Sequence, residues 1–188
     1  GCSCDWSRNR FTMDDDLSKA VIKTFVKLYK KKLIYKDTKL VNWDTKLETA
    51  ISDLEVEQKE VQSNLYYIKY QIENENNFLT IATTRPQTML GDTAVAVNPN
   101  DERYKNYIGK KIIVPIVQRK VNIIADKYVS MDQGSGALKV TPAHDFNDFE
   151  IGKRHKLESI NIFEKNGKLN NNCPNKFAGL DRYEARKL

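Results

Sequence analysis

The sequence predicts an α+β fold dominated by β structure: a compact, barrel-like unit with short peripheral helices, behind an N-terminal helical flank. Three observations predict it. The apolar spacing changes from a period of about 3.6 residues to a period of two near Leu54. Six short runs rich in β-branched residues then follow, separated by Asn, Gly and Pro turns. A single helical pattern follows them, after Pro142. Many short strands at modest spacing bury their apolar faces best by curling into a barrel or sandwich.

In the flank, Leu17, Ala20, Val21, Thr24, Phe25, Leu28 and Tyr29 recur at helical spacing. Thr12 and Asp15 read as a capping box, with acidic residues 14–16 at the positive helix start and lysines 30–32 at its negative end. Strands are expected at 65–72, 78–84, 93–97, 111–116, 121–125 and 137–141, with turns at 74–77, 98–100 and 133–136. The later helix spans 145–155, where Phe146 and Phe149 share a face suited to closing the core. Residues 166–174 are polar and Asn-rich and read as an exposed hairpin or loop. The division is thus 1–53 for the flank and 54–188 for the β domain, with no internal repeat.

A length of 188 residues fits one domain, or one domain with an appendage. The net charge of +6 leans towards an anionic partner. Basic pairs at Lys110-Lys111, Arg119-Lys120 and Lys153-Arg154 suit a folded surface meeting phosphates, or simply a solvated one. No apolar run approaches the roughly 18 residues of a membrane helix, and the start lacks a signal-peptide pattern. Cys2, Cys4 and Cys173 are odd in number, so a reduced, cytoplasmic setting is expected rather than a disulfide framework.

Two segments carry chemistry. In 81–92, a β-branched strand runs into Thr83, Thr84, Arg85, Pro86 and Thr88 and ends on Gly91-Asp92. Proline holds Arg85 extended, so the strand stops there and its hydroxyls and guanidinium form a polar wall. That wall suits a compact polar substrate on a phosphate-bearing carrier. In 134–148, Lys139 and Thr141 alternate with Leu138 and Val140 and share one side of a strand, facing either solvent or a pocket. Asp145 and Asp148 lie three apart at a helix start. They serve either as N-cap and dipole partner or as an anchor for a cationic ligand. His144 titrates near neutrality in its ordinary state and is a candidate base, a contact for the carrier, or an orienting neighbour; His155 reads as structural. His144, Asp145, Asp148 and His155 lack the third well-spaced ligand or cysteine pair of a metal site, so neither metal nor cofactor is expected. Phosphate-loop and nucleophile-elbow motifs are absent from the sequence.

Together with Asp5-Trp6-Ser7-Arg8, Leu40-Val41-Asn42-Trp43-Asp44, Ile51-Ser52-Asp53-Leu54-Glu55-Val56-Glu57 and Gly179-Leu180-Asp181-Arg182-Tyr183-Glu184-Ala185-Arg186, these segments resemble the editing domain of class I aminoacyl-tRNA synthetases. The valyl type is the most similar, and the resemblance covers nearly the whole chain. It implies a flank belonging to the synthetase core and an editing domain that hydrolyses threonine wrongly esterified to tRNA(Val). Its partners would be the threonine-bearing acceptor end of that tRNA and the remainder of a synthetase, with no membrane involved. By resemblance, Asp148 binds the α-ammonium, while Lys139, Thr141 and Asp145 hydrogen-bond the threonine hydroxyl. Arg85 and Thr88 complete the wall, and Thr83 and Thr84 lie near the terminal ribose and phosphate.

Three positions depart from the family pattern. Family members usually carry glutamate where Gln87 stands, and some place a Cys-x-x-Cys pair where this chain has Asp44 and Leu47, so no structural zinc is expected. The His-x-Gly-His and Lys-Met-Ser-Lys-Ser elements of amino-acid activation are absent from the sequence. An isoleucyl-type site acting on valyl-tRNA(Ile), and a tRNA-docking module silent in isolation, are the alternatives.

Overall fold

The computed structural model describes residues 2–188. The chain divides into two compact units, one ending at Lys39 and one covering Leu40–Leu188. In the first, α1 (Asp15–Lys30) is the main element, and none of its residues is buried. Its N-cap is Asp14, so the Thr12–Asp15 capping box expected from the sequence does not form. The Asp14 carboxylate instead accepts from the backbone N–H of Phe11, which leaves the helix without a side-chain cap. The apolar stripe forms as the spacing predicts, yet Val21, Phe25 and Tyr29 remain more than half exposed.

The second unit opens with a hairpin, β1 (Asn42–Asp44) and β2 (Thr49–Ile51), whose strands are too short for a period to show. The Asp44 carboxylate closes its turn by accepting from the amides of Lys46 and Leu47. Trp43 Nε1 donates to the Lys165 carbonyl at 2.8 Å, tying the hairpin to the unit ahead of the change in period at Leu54.

Six strands form the main sheet: β3 (Tyr66–Ile72), β4 (Phe78–Thr83), β5 (Ala94–Val97), β6 (Lys111–Ile113), β7 (Lys120–Ala125) and β8 (Ala137–Val140). They run in the order β4-β3-β6-β7-β5-β8. Only β5 and β7 pair in parallel; the other neighbours are antiparallel. The outer strands β4 and β8 pack beside one another without ladder hydrogen bonds, so the barrel is nearly closed along that seam.

The alternation of each strand decides what fills the interior. Leu79 and Ile81 of β4 and Val121 and Ile123 of β7 point inward with Tyr70, Ile72, Ile112 and Val95. Strand β5, Ala-Val-Ala-Val, is buried on both faces. Its valines join the barrel core. Its alanines lie outside, against Val140 and Ile151, where their small side chains let α2 (Phe146–His155) approach the sheet.

The buried face of α2 is Asp148, Ile151 and Gly152, whereas Phe146, expected to close the core, is exposed. The cause is the 3.6-residue period anchored at Gly152. A Cβ there would meet Pro142 ring atoms at 2.7 and 2.9 Å, so the glycine face lies against the β8–α2 connection and Phe146 turns out. The far end of α2 is held by Arg154 and His155, both on the Asp126 carboxylate.

The tail also differs from expectation. Leu169, Cys173 and Phe177 are buried in a second cluster with Leu90, Ile162 and Ala185 of α3 (Arg182–Lys187). Its asparagines make this possible by serving the backbone. The Asn170 side chain accepts from the Asn172 amide and donates to the Asn161 carbonyl, to which the Asn172 side chain also donates. Polarity here builds turns that aim the few apolar side chains inward.

Candidate functional site

The barrel seam is where the chemistry collects. Strand β4 ends at Thr83; Arg85, at φ −126° and ψ 66° rather than the fully extended geometry expected before proline, leads into Pro86, which starts a buried 3-10 turn over Pro86–Gly91. Strand β8 ends beside it and passes through Thr141-Pro142-Ala143-His144 to Asp145, the N-cap of α2. The Asp145 carboxylate accepts from the amides of Asn147 and Asp148 and pairs with Arg85 at 2.5 Å. A second guanidinium nitrogen of Arg85 donates to the His144 carbonyl, so the arginine joins the two ends across the seam.

This ion pair separates two depressions. One, of about 700 Å³, holds Thr83, Thr84, Arg85, Lys139, Asp145 and Asp148. The other, of about 830 Å³, shares Arg85 and Asp145 and adds Gln87, Thr88 and His144, with Trp43 and Arg186. The structure thus brings six of the expected site residues to one cavity and places Thr88 and His144 on the other side of the pair. Thr88 acts locally, its hydroxyl donating to the Arg85 carbonyl. Gln87 accepts from Arg186 Nε at 3.0 Å, a bond a neutral amide can make as a carboxylate would.

Thr141 lines neither cavity. It shares a strand side with Lys139, as their alternation requires, but that side turns inward at this point. Thr141 Oγ1 donates to Asp92 Oδ1 at 2.6 Å and accepts from Lys139 Nζ at 2.6 Å. Lys139 Nζ also lies 3.4 Å from Asp92 Oδ1, while the Tyr70 hydroxyl donates to Asp92 Oδ2 at 2.7 Å. Asp92 is completely buried. Burial pushes its carboxyl above the usual range, and the Lys139 charge and the Thr141 and Tyr70 hydrogen bonds pull it back. Burial and the neighbouring Asp92 push the Tyr70 phenol up.

In the sequence alone, Asp92 stands only as the end of the 81–92 segment. The available signal was an acidic residue wedged between the apolar stretches Met89-Leu90 and Ala94–Val97, where a solvated carboxylate has little room.

Asp148 sits on the buried face of α2 with its carboxylate at the cavity and accepts from the Thr141 amide at 2.9 Å. Burial pushes it up to about 6; Lys139 and the Thr141 amide oppose this, while Asp145 and Asp92 add to it. It is a poorly solvated anion, and a cationic ligand would relieve it.

His144 is a half-buried latch. Its Nε2 accepts from the Ile162 amide at 3.0 Å and its ring stacks edge-on against Phe163. Burial, then the Lys139 and Arg85 charges, lower it to about 4 against a backbone bond to Ile160. A ring whose accepting nitrogen is occupied, and which stays neutral, is badly placed to take a proton from water. Among the described residues no three His, Cys, Asp or Glu side chains gather as a metal site, and no helix is long and apolar enough to cross a membrane.

Comparison with known proteins adds a family. A family model for tRNA synthetases class I (I, L, M and V) matches residues 1–168. Valine–tRNA ligase of Pelagibacter ubique (strain HTCC1062) is 65% identical over 187 residues, covering 100% of this chain. That of Staphylococcus haemolyticus (strain JCSC1435) is 57% identical over 187 residues, again 100% of the chain. The chain spans only 21% of the length of each of these curated relatives.

Among solved structures, the agnB2 LeuRS of Agrobacterium radiobacter K84, in a ternary complex with tRNA and LeuAMS, has a TM-score of 0.48 at 18% identity. It covers 80% of this chain and 29% of its own. The GlLeuRS-CP1 structure has a TM-score of 0.42 at 15% identity, over 48% of this chain and 57% of its own.

Proposed function

Since the chain belongs to the class I tRNA synthetases (I, L, M and V), we propose that its Leu40–Leu188 unit is an editing site that hydrolyses threonine wrongly esterified to tRNA(Val). One observation carries this reading: a cavity at the barrel seam offers a poorly solvated carboxylate, Asp148, beside the cationic Lys139 and Arg85. An aminoacyl ester on tRNA has the matching parts, a free ammonium at one end and phosphates at the other. The names of the relatives, valine–tRNA ligases, support the choice of tRNA(Val).

Asp148 anchors the α-ammonium, and that contact neutralises a charge which burial disfavours. Lys139 presents its ammonium to the threonine hydroxyl from the cavity wall, and Thr141 acts through Lys139. Thr83, Thr84 and Arg85 receive the terminal ribose and phosphate. With the ester held there, water adds to its carbonyl, the bond to the ribose oxygen breaks, and that oxygen takes up a proton. No covalent enzyme intermediate is needed, because orienting water beside an activated ester lowers the barrier by itself.

Selectivity follows from the same wall. A hydrophobic synthetic pocket rejects an isostere bearing an extra hydroxyl only weakly, a limit for which the valyl enzyme is itself the usual illustration. A site built to bond that hydroxyl leaves polar groups unpaired when valine enters, at about 1–3 kcal/mol each. The test is deacylation of threonyl-tRNA(Val), valyl-tRNA(Val) and valyl-tRNA(Ile) by the chain. Loss of threonine alone supports the reading. Loss of valine from tRNA(Ile) moves the site to the isoleucyl type, and binding without turnover makes the unit a docking module.

A further inference from the structure

We propose that Asp92 is the positioning residue of this site: from outside the cavity, its carboxylate fixes where Lys139 presents its ammonium. The inference rests on reading the cavity as an aminoacyl-ester site and adds how that site keeps its geometry. Asp92 lines neither depression, and no part of it is exposed. It can therefore act on a ligand only through another side chain.

The geometry supplies that side chain. Three donors converge on the two carboxylate oxygens: Tyr70 on Oδ2 at 2.7 Å, Thr141 on Oδ1 at 2.6 Å and Lys139 on Oδ1 at 3.4 Å. Lys139 can only donate, and the Tyr70 and Thr141 hydroxyls donate here, so the carboxylate oxygens act as acceptors. Tyr70 comes from β3 and Lys139 from β8, so one anion clamps strands on both sides of the barrel. Asp92 itself precedes β5, whose Ala94 pairs with Val140 of β8, which sets the carboxylate across from Lys139 and Thr141. The preceding Gly91 permits this approach, since a Cβ there would lie 3.2 Å from Thr141 Cγ2 and 3.0 Å from the Ile160 carbonyl.

A lysine ammonium rides on a flexible four-carbon stem, and a selective hydrogen bond to a ligand hydroxyl needs it held at one place. Here Thr141 accepts from it at 2.6 Å, and Thr141 is in turn oriented because its only proton points at Asp92. The chain Tyr70–Asp92–Thr141–Lys139 thus runs from the barrel core to the cavity wall.

The test replaces Asp92 in the full chain with the shape-matched Asp92→Asn, whose amide turns donors towards donors. Two readouts are taken. The first is the ¹H–¹⁵N NMR signal of the Lys139 ammonium, assigned with Lys139→Arg. A held ammonium exchanges slowly enough to be seen and a free one does not, so the signal is expected in the native chain and lost in the variant. The second is kcat/KM for threonyl- against valyl-tRNA(Val), a ratio expected to fall by at least about tenfold. A purely structural role lowers stability and leaves that ratio unchanged.

Persistence of the ammonium signal, or an unchanged ratio in a folded variant, overturns the proposal. If the native chain cleaves neither ester, the proposed reaction fails while the ammonium signal still decides what Asp92 holds. Should Asp92→Asn not fold, Tyr70→Phe removes a donor that never touches Lys139. Faster exchange of the Lys139 ammonium protons then supports the clamp, and unchanged exchange refutes it.

Discussion

Asp148→Asn separates the ligand-binding task of this residue from its effect on stability. The carboxyl titrates at about 6 in the folded chain, against an ordinary 3.8. A group raised in this way stabilises the fold fully below its unfolded value and loses that contribution as pH rises through its folded value. The gap corresponds to about 3 kcal/mol, so above about pH 6 the ionised Asp148 works against folding by that order. Asparagine is fixed in the neutral form and its carbonyl can still accept from the Thr141 amide.

The variant should therefore be more stable than the native chain by up to about 3 kcal/mol near pH 7.5. The advantage shrinks to about 1 kcal/mol near pH 4.5 and almost vanishes near pH 3.5. At roughly 2–4 °C per kcal/mol for a chain of this size, the neutral-pH gain is a rise in Tm of several degrees. Deacylation should move the other way. Loss of a buried charge partner to the substrate ammonium costs about 2–5 kcal/mol, so kcat/KM should fall at least about 30-fold. Urea unfolding at the three pH values, beside threonyl-tRNA(Val) deacylation, measures both. An asparagine variant that is less stable at neutral pH, or whose advantage does not decline with acid, refutes the reasoning.

Three further outcomes follow from other contacts. His144, lowered to about 4, should show a neutral ring by NMR down to about pH 5. Its stabilising contribution is full above its ordinary 6.5 and is lost, by about 3 kcal/mol, as pH falls towards 4. Gly152→Ala gains helix propensity but presses a methyl into the Pro142 ring, so chemical denaturation should show a net loss of about 1–3 kcal/mol. Arg85→Gln breaks an ion pair whose arginine is about half exposed, so stability should change by no more than about 1 kcal/mol while deacylation falls more than about tenfold.

Which parts of this molecule were legible from sequence follows from how local each signal is. The strands around Ile81, Val95, Val121 and Leu138 announced themselves because alternation is written into neighbouring residues. Asp145 was readable as an N-cap for the same reason, and the structure shows that role together with its pairing to Arg85. Hidden features depend on partners distant in the chain. Nothing beside Asp92 reveals that Tyr70 and Thr141 will converge on it, and nothing in the Asn-rich tail reveals that Leu169 and Cys173 have a core to enter. The inward turn of Thr141 was lost similarly: alternation gives the side of a strand but not whether that side is open. Phe146 misled because aromatic bulk outweighed Gly152, the residue that sets how closely α2 docks.

The central claim is that a free ammonium is gripped by Asp148 in the seam cavity, and the most direct measurement blocks that ammonium alone. N-acetyl-threonyl-tRNA(Val) differs from threonyl-tRNA(Val) at the α-nitrogen, which the added acetyl group strips of the charge offered to Asp148, and their single-turnover deacylation by the native chain and by Asp148→Asn can be followed side by side. The account predicts rapid loss of threonine from the free-amine ester and only spontaneous loss from the acetylated one. Equal rates for the two, whether fast or merely spontaneous, would contradict it.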